Sequence, residues 1–324
     1  MIIDIFFLIL GIVLILVGAN TLTDGSSAIA KRWGVSDLVI GLTVVAFGTS
    51  APELAISVIS AIQGNTGLAI GNVVGSNIFN VLVIIGVTAM VMPIKIERSI
   101  MTNEIPLVIL SSLALLAMGN SPFLDDASTP VLTRVDGIVL LLFFMIFMRY
   151  TFAQAKAAPA GDPVESESSS KNKMPMWKSI LWVIGGLAAL IYGGDRFVEG
   201  ASGIASRLGV SDAVIALTIV AAGTSLPELA TSVTAAIKGK TGIAVGNVIG
   251  SNIFNIFLVL GCSATIRPLA FNGIGNFDLL VLTAACLLFW VFGWFFKERT
   301  ITRIEGSLLT LCYIAYVTML IIAA

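Results

Sequence analysis

The chain has 324 residues, of which 57% are hydrophobic and only 11% charged, with a mean hydropathy of +1.01 and a net charge of -1. Soluble domains carry about 25% charged residues, so the composition excludes a soluble enzyme and describes an all-α polytopic membrane protein, with the lipid bilayer as partner and no nucleic-acid partner. Histidine is absent, which removes the commonest general base and the commonest transition-metal ligand.

Taken in chain order, apolar stretches near the ~20-residue length that spans a bilayer predict ten transmembrane helices: 2–30, 36–62, 66–90, 99–119, 131–152, 176–205, 211–237, 242–265, 274–296 and 303–323. The first begins with no basic region before it and no small-residue cleavage site after it, so it reads as a span and not as a removed signal peptide. The three cysteines, Cys262, Cys286 and Cys312, all fall in apolar segments of the second half, which argues against a disulfide framework. Residues 153–175, rich in Pro, Gly and Ser, form the only real linker, too short for a folded regulatory domain. It divides the chain into a first five-helix repeat, 1–152, and a second, 176–324.

Basic residues set the expected orientation. The loops after spans 1, 3, 5, 7 and 9 carry 14 Lys and Arg, whereas the opposite side has Arg134, Arg207 and Arg267. The rich side is expected to be cytoplasmic, with the linker on it. Both termini are then extracytoplasmic, in a plasma (inner) membrane.

Residues 48 to 54 read GTSAPEL, and residues 223 to 229 read GTSLPEL. The 175-residue offset between them holds without a gap from Gly41 to Gly86 against Ala216 to Gly261, with 29 of 46 aligned pairs identical. It also matches Ser36 and Asp37 to Ser211 and Asp212. An odd number of spans per half makes the second copy enter the membrane from the opposite side. Such inverted repeats build many secondary transporters, with a site near the midplane.

Glu53 and Glu228 are equivalent under this repeat and are read as the carboxylates near the middle of a span. A charge at the bilayer centre costs at least ~2.5–3.5 kcal/mol on insertion scales. No Lys or Arg of the repeat segments lies at comparable depth, so the expected partner is a cation that is not part of the chain. Two structural, protonated carboxyls are the weaker reading. Pro52 and Pro227 precede the glutamates. A proline inside a helix removes one backbone bond and clashes with the carbonyl four residues back, which would turn freed carbonyls toward a cavity. Helical spacing places Ala46, Thr49, Ser50, Glu53 and Ser57 on one face, and Ala221, Thr224, Ser225, Glu228 and Ser232 in the second copy. Asn72, Ser76 and Asn80 follow at intervals of four, as do Asn247, Ser251 and Asn255. Singly such residues are usually interhelical hydrogen bonds; a duplicated stripe is a stronger sign of a site. Gly71 with Gly75, and Gly246 with Gly250, read as packing devices. The stripe offers only oxygen, which suits Ca2+ and Na+ and not Zn2+ or Cu+.

GTSAPEL with GNVVGSNIFN, repeated as GTSLPEL with GNVIGSNIFN, resembles the two alpha-repeats of the sodium/calcium exchanger family, in its prokaryotic form. The resemblance implies a secondary-active antiporter that exchanges one Ca2+ for several Na+ by alternating access. Transport is electrogenic when more than two Na+ move per Ca2+, and Ca2+ extrusion is the expected direction. It further implies an ion site made of Glu53 and Glu228 as shared carboxylates, Ala46, Ala221, Thr49 and Thr224 through backbone carbonyls, Ser50, Ser225, Ser76 and Ser251 through hydroxyls, and Asn80 and Asn255. Ca2+ and Na+ are transported ions; no cofactor is expected. The potassium-dependent branch has Asp where this chain has Asn255, which weakens K+ co-transport. Ten spans with their own repeats could work as a monomer.

Other classes fit less well. Gly239-Lys240-Thr241 resembles the end of a phosphate loop, but Thr234 stands where Gly is needed. Gly193-Gly194-Asp195 lacks the second deep Asp of an intramembrane protease, and Ser50 lacks a His or Lys base. A proton/calcium exchanger is the main alternative, with Glu53 or Glu228 carrying the proton, although that branch has a Gly-Asn-x-x-Glu pattern. A passive channel suits a deep paired-Glu site less well than an exchanger. Asp24 and Glu199, also equivalent under the repeat, are expected near an ion entrance or, more often for such positions, in interfacial or cross-helix contacts. Asp4, Asp125, Asp126 and Asp278 read as loop or interfacial charges.

Overall fold

The computed structural model describes residues 1–124, 129–157, 174–209, 221–295 and 297–323. Most of the expected linker, the start of the seventh expected span, and Asp125 and Asp126 lie outside the described residues.

The fold is helical. Helix α1 (Ile2–Trp33) ends at Gly34, whose φ of 67° lets its N–H return to the Ala30 carbonyl, the left-handed cap that glycine supplies without strain. Two residues on, the Ser36 hydroxyl accepts from Val39 N at 3.3 Å and starts α2 (Asp37–Thr49). There follow α3 (Ala51–Gln63), α4 (Thr66–Val91), α5 (Ile100–Gly119), α6 (Arg134–Ala157) and α7 (Met176–Arg207). The remaining helices are α8 (Leu226–Ile237), α9 (Thr241–Ile266), α10 (Asn276–Phe295) and α11 (Arg303–Ala323). Among the described residues eight helices are long and apolar enough to cross a bilayer, and the bent pair α2–α3 makes a ninth. Of the expected seventh span, Ala221–Gly223 and α8 are described.

Burial ranks the helices. The most apolar windows of α4 and α9 are 83% and 94% buried, against 22% or less for α1, α6 and α11. The two GSNIFN-bearing helices are therefore enclosed by protein, and their asparagines and serines are buried polar groups that must find partners.

The chain divides into two compact units. One comprises residues 1–49 and 148–247. Its frame is the antiparallel pair α1 and α7, which meets along glycines at seven-residue intervals: Gly11, Gly18 and Gly25 on one helix, Gly186, Gly193 and Gly200 on the other. These are equivalent under the same 175-residue offset. A β-carbon at Gly18 would stand 2.8 Å from the Gly186 carbonyl oxygen, and one at Gly193 3.0 Å from Ile15 N. Close backbone approach is the known use of small residues in membrane helices. Gly246 and Gly242 do the same for α9, resting against the backbone of Leu38. The sister residue Gly71 touches only the Ile274 side chain, and Gly75 faces open space among the described residues, so the packing role expected for that pair is seen at Gly246.

The other unit comprises residues 50–147 and 248–324. Two short antiparallel ladders tie its helix ends. Strand β1 (Ile94–Lys95) pairs with β4 (Thr300–Ile301), and β2 (Val131–Leu132) with β3 (Leu269–Ala270). Each leads into a capped helix. The Asp136 carboxylate accepts from Thr133 N at 2.8 Å before α6, and Glu305 accepts from Thr302 N at 2.8 Å before α11. Glycines again set close crossings: Gly137 against the Gly261 carbonyl, and Gly306 against that of Gly86.

Candidate cation site

The GTS-PEL stretches break their helices. Helix α2 stops at Thr49 and α3 starts at Ala51; between them Ser50 has φ -83° and ψ 5°. In the second copy Ala221–Gly223 stops short of Ser225, with φ -93° and ψ 5°, and α8 starts at Leu226. Pro52 and Pro227 stand in the first turn of the restarted helix, where the missing N–H costs no intrahelical bond. The break thus precedes the proline, because a proline is best accommodated as a helix start. Two consequences follow for charge. Ala46 and Thr49 lie among the last four residues of α2, whose carbonyls lack intrahelical donors and form the negative end of the helix dipole. Glu53 and Glu228 lie in the first turn of α3 and α8, where the positive end stabilises a carboxylate.

In the unit carrying Glu228, that residue is 1% exposed. Asn247 Nδ2 donates to the Glu228 carbonyl at 3.3 Å and to the Ser232 hydroxyl at 3.0 Å. The Oδ1 of Asn247 accepts the Thr49 hydroxyl at 3.0 Å, and that hydroxyl also reaches the Ala46 carbonyl at 3.4 Å. Ser225 is fully buried, and its hydroxyl has no hydrogen-bond partner among the described residues. Thr224 is half-buried, and Ala221 opens the short helix before it.

In the unit carrying Glu53, the pattern recurs. Glu53 is fully buried; Asn72 Nδ2 donates to its carbonyl at 3.3 Å and to the Ser57 hydroxyl at 3.0 Å. The Ser76 hydroxyl donates to Glu53 Oε1 at 3.5 Å. Ser50, Ser76, Asn80, Ser251 and Asn255 are all buried. The Ser251 hydroxyl and the amide oxygens of Asn80 and Asn255 have no hydrogen-bond partner among the described residues. The amide nitrogens of Asn80 and Asn255 are held by Asn252 and Asn77, two residues the sequence did not single out. Both asparagines that bear the orphan oxygens sit in π-helical turns, Asn80–Ile84 and Phe254–Leu260. Such turns are rare and concentrate at functional sites.

The donor set is therefore carboxylate, hydroxyl, amide and carbonyl oxygen, which hard cations require. Among the described residues no cluster of three or more His, Cys, Asp or Glu could hold a metal.

The remaining charges have different places. Asp24 is paired with Lys238 at 2.9 Å and Lys240 at 3.2 Å, and Glu199 with Arg196 at 2.5 Å. Both are cross-helix or local ion pairs, the commoner of the two roles expected. Asp4 accepts from Arg207 at 2.7 Å. Asp278, read as a loop or interfacial charge, stands at the start of α10 and is 7% exposed; it accepts from Gly275 N at 2.9 Å and takes the Tyr316 hydroxyl at 2.8 Å. Glu104, fully buried in the π-helical turn that opens α5, escaped the sequence reading because it lies near a span end.

The apolar helices and their buried oxygen groups describe a multi-pass membrane protein. Comparison with known proteins supplies the family. The model of the sodium/calcium exchanger protein family matches residues 3–153 and 178–322. The chain is 40% identical over 317 residues to the putative antiporter CaxA of Alkalimonas amylolytica, covering 96% of each chain. It is 35% identical over 344 residues to the sodium/calcium exchanger MaX1 of Methanosarcina acetivorans, covering 97% of each. Among solved structures, the sodium-calcium exchanger NCX_Mj soaked with 2.5 mM Na+ and 0.1 mM Ca2+ superposes with a TM-score of 0.82 at 32% identity, over 98% of each chain. The chain belongs to the sodium/calcium exchanger family. It is a multi-pass membrane antiporter and not an enzyme.

Proposed function

We propose that this chain moves Ca2+ outward across the plasma membrane in exchange for inward Na+, electrogenically, with more than two Na+ per Ca2+. Its ten spans form two inverted five-helix repeats, with both termini outside and the linker in the cytoplasm. The cations bind Glu53 and Glu228, the hydroxyls of Ser50, Ser76, Ser225 and Ser251, the amides of Asn80 and Asn255, and the carbonyls of Ala46, Thr49, Ala221 and Thr224. The observation that best supports this reading is the pair of buried glutamates, each opening a helix just past a break and each braced by an asparagine at the same 3.3 and 3.0 Å distances.

Exchange follows from the charges. Two carboxylates balance one Ca2+ or two Na+. An empty site leaves two anions in a low-dielectric interior, a state costly to carry through the midplane. A site filled by either cation crosses. Asn80 and Asn255 add oxygens without charge, so the negative charge among the proposed ligands stays at two.

The test is 45Ca2+ uptake by Na+-loaded proteoliposomes holding the wild type, Glu53→Gln or Glu228→Gln. Each single substitution is expected to abolish uptake while the protein still inserts and elutes as a single species. Wild-type uptake by either variant would overturn the site.

A further inference from the structure

The unit that carries Glu53 contains an interlocked set of four asparagines. Asn77 Nδ2 donates to the backbone carbonyl of Asn252 at 3.2 Å. Asn255 Nδ2 donates to Asn77 Oδ1 at 3.0 Å, and Asn80 Nδ2 donates to Asn252 Oδ1 at 3.2 Å. Asn77 and Asn252 are equivalent under the repeat, as are Asn80 and Asn255. All four are 1% exposed or less.

These bonds fix which way the Asn77 and Asn255 amides point. A backbone carbonyl only accepts, so the Asn77 atom facing Asn252 O must be nitrogen. The opposite Asn77 atom is then oxygen, and Asn255 must meet it with nitrogen. The Asn255 oxygen is turned the other way, and it has no hydrogen-bond partner among the described residues. Asn80 is in the same state: its nitrogen is held by Asn252, and its oxygen is buried and unpartnered among the described residues. A buried amide oxygen without a donor is costly, and here the cost is repeated at two symmetric positions. Ser251, one helical turn before Asn255, has the same unmet hydroxyl.

We infer that Asn77 and Asn252 are positioning residues, which lock the side chains of Asn80 and Asn255 with oxygen, not nitrogen, presented to the transported cation. The inference rests on the ion site proposed above and assigns it an orienting shell. Without that shell an asparagine is ambiguous, since a half-turn of its amide replaces an oxygen ligand by two N–H donors that repel a cation. The π-helical turns at Asn80–Ile84 and Phe254–Leu260 set the two side chains at the start of a widened backbone, and the interlock removes their remaining freedom. A carboxylate would need no orienting, because both its oxygens ligate. With asparagine at both positions, the orienting pair is required.

The test uses the full-length protein in proteoliposomes, with Asn77→Leu and Asn252→Leu, which remove the acceptor, and Asn77→Asp, which keeps an acceptor for Asn255 Nδ2. In the leucine variants the Ca2+ concentration for half-maximal Na+-driven uptake is expected to rise at least about tenfold while the maximal rate stays within about twofold. The Ca2+-induced rise in Tm of the detergent-solubilised protein should shrink in parallel, since a ligand stabilises only by binding. Asn77→Asp should stay within about threefold of wild type on both readouts. Where a leucine variant does not fold, Asn77→Ser, too short to reach Asn255, carries the same expectation. Wild-type half-saturation in the variants lacking the acceptor, or an Asp variant as impaired as they are, would overturn the inference. Glu53→Gln run beside them separates the two levels. A dead Glu53→Gln with unchanged Asn77 variants removes only the positioning role, whereas an active Glu53→Gln removes the ion site itself.

Discussion

At the scale of the residue, the structure turns on how a carboxylate is held away from water. Glu53 and Glu228 sit at the positive ends of α3 and α8, and an asparagine from the next helix grips the carbonyl of each. Asn72 and Asn247 brace the backbone that carries each charge. Replacing Asn247 by Ala removes its bonds to Thr49, Ser232 and the Glu228 carbonyl together, and the half-saturating Ca2+ concentration in 45Ca2+ uptake is expected to rise by at least about tenfold. The glutamates, the broken helix and the polar stripe were legible in the sequence because the repeat printed each of them twice. Asn77 and Asn252 were not. Their residue type is the same as that of the ligand candidates three positions on, and only the direction of the amides, a matter of tertiary packing, separates orienting residue from ligand. The burial of Asp278 could not be read, because its position at a helix start is the same whether the carboxylate caps in the open or, as here, beneath Tyr316.

At the scale of the element, the proline marks the break but does not make it alone. Serines 50 and 225 leave helical geometry, and the prolines secure the restart immediately before the glutamates. The π-helical turns could not be read from the chain, since an extra residue per turn leaves no compositional trace. The α1–α7 seam was equally hidden: its glycines obey the repeat, but the intervening residues have diverged between the halves. With backbone atoms 2.8 Å from a would-be β-carbon, Gly18→Leu should force the two helices apart and cost at least about 2–3 kcal/mol. A fall of several degrees in the Tm of the solubilised protein is the expected readout, and an unchanged Tm would show that the seam tolerates a side chain. By contrast the Asp24 pair with Lys238 and Lys240 is part-exposed, so Lys238→Ala should shift stability by about 1 kcal/mol or less in the same assay.

At the scale of the whole molecule, the repeat is followed closely in the hydrogen-bonded core and loosely at the periphery. The asparagine braces are duplicated at the same 3.3 and 3.0 Å, yet Lys238 and Lys240 have Gln63 and Asn65 as their counterparts, so one half carries a charged clasp that the other lacks. The membrane class and the family were readable from hydropathy and motif; the enclosure of α4 and α9 within protein was not, because a helix buried in protein and one bathed in lipid have the same apolar composition. The coupling ion is the point on which the functional account turns. The most direct measurement is 45Ca2+ uptake into proteoliposomes under an outward Na+ gradient, and separately under a pH gradient without Na+, with the membrane potential set by valinomycin and K+. With more than two Na+ leaving per entering Ca2+, net positive charge leaves the vesicle, so an interior made positive should speed Ca2+ uptake and an interior made negative should slow it.

 The expected result is therefore uptake that requires internal Na+ and is fastest with the interior positive. Uptake driven by the pH gradient alone, with no Na+ present, would contradict sodium/calcium exchange and make the two glutamates proton carriers.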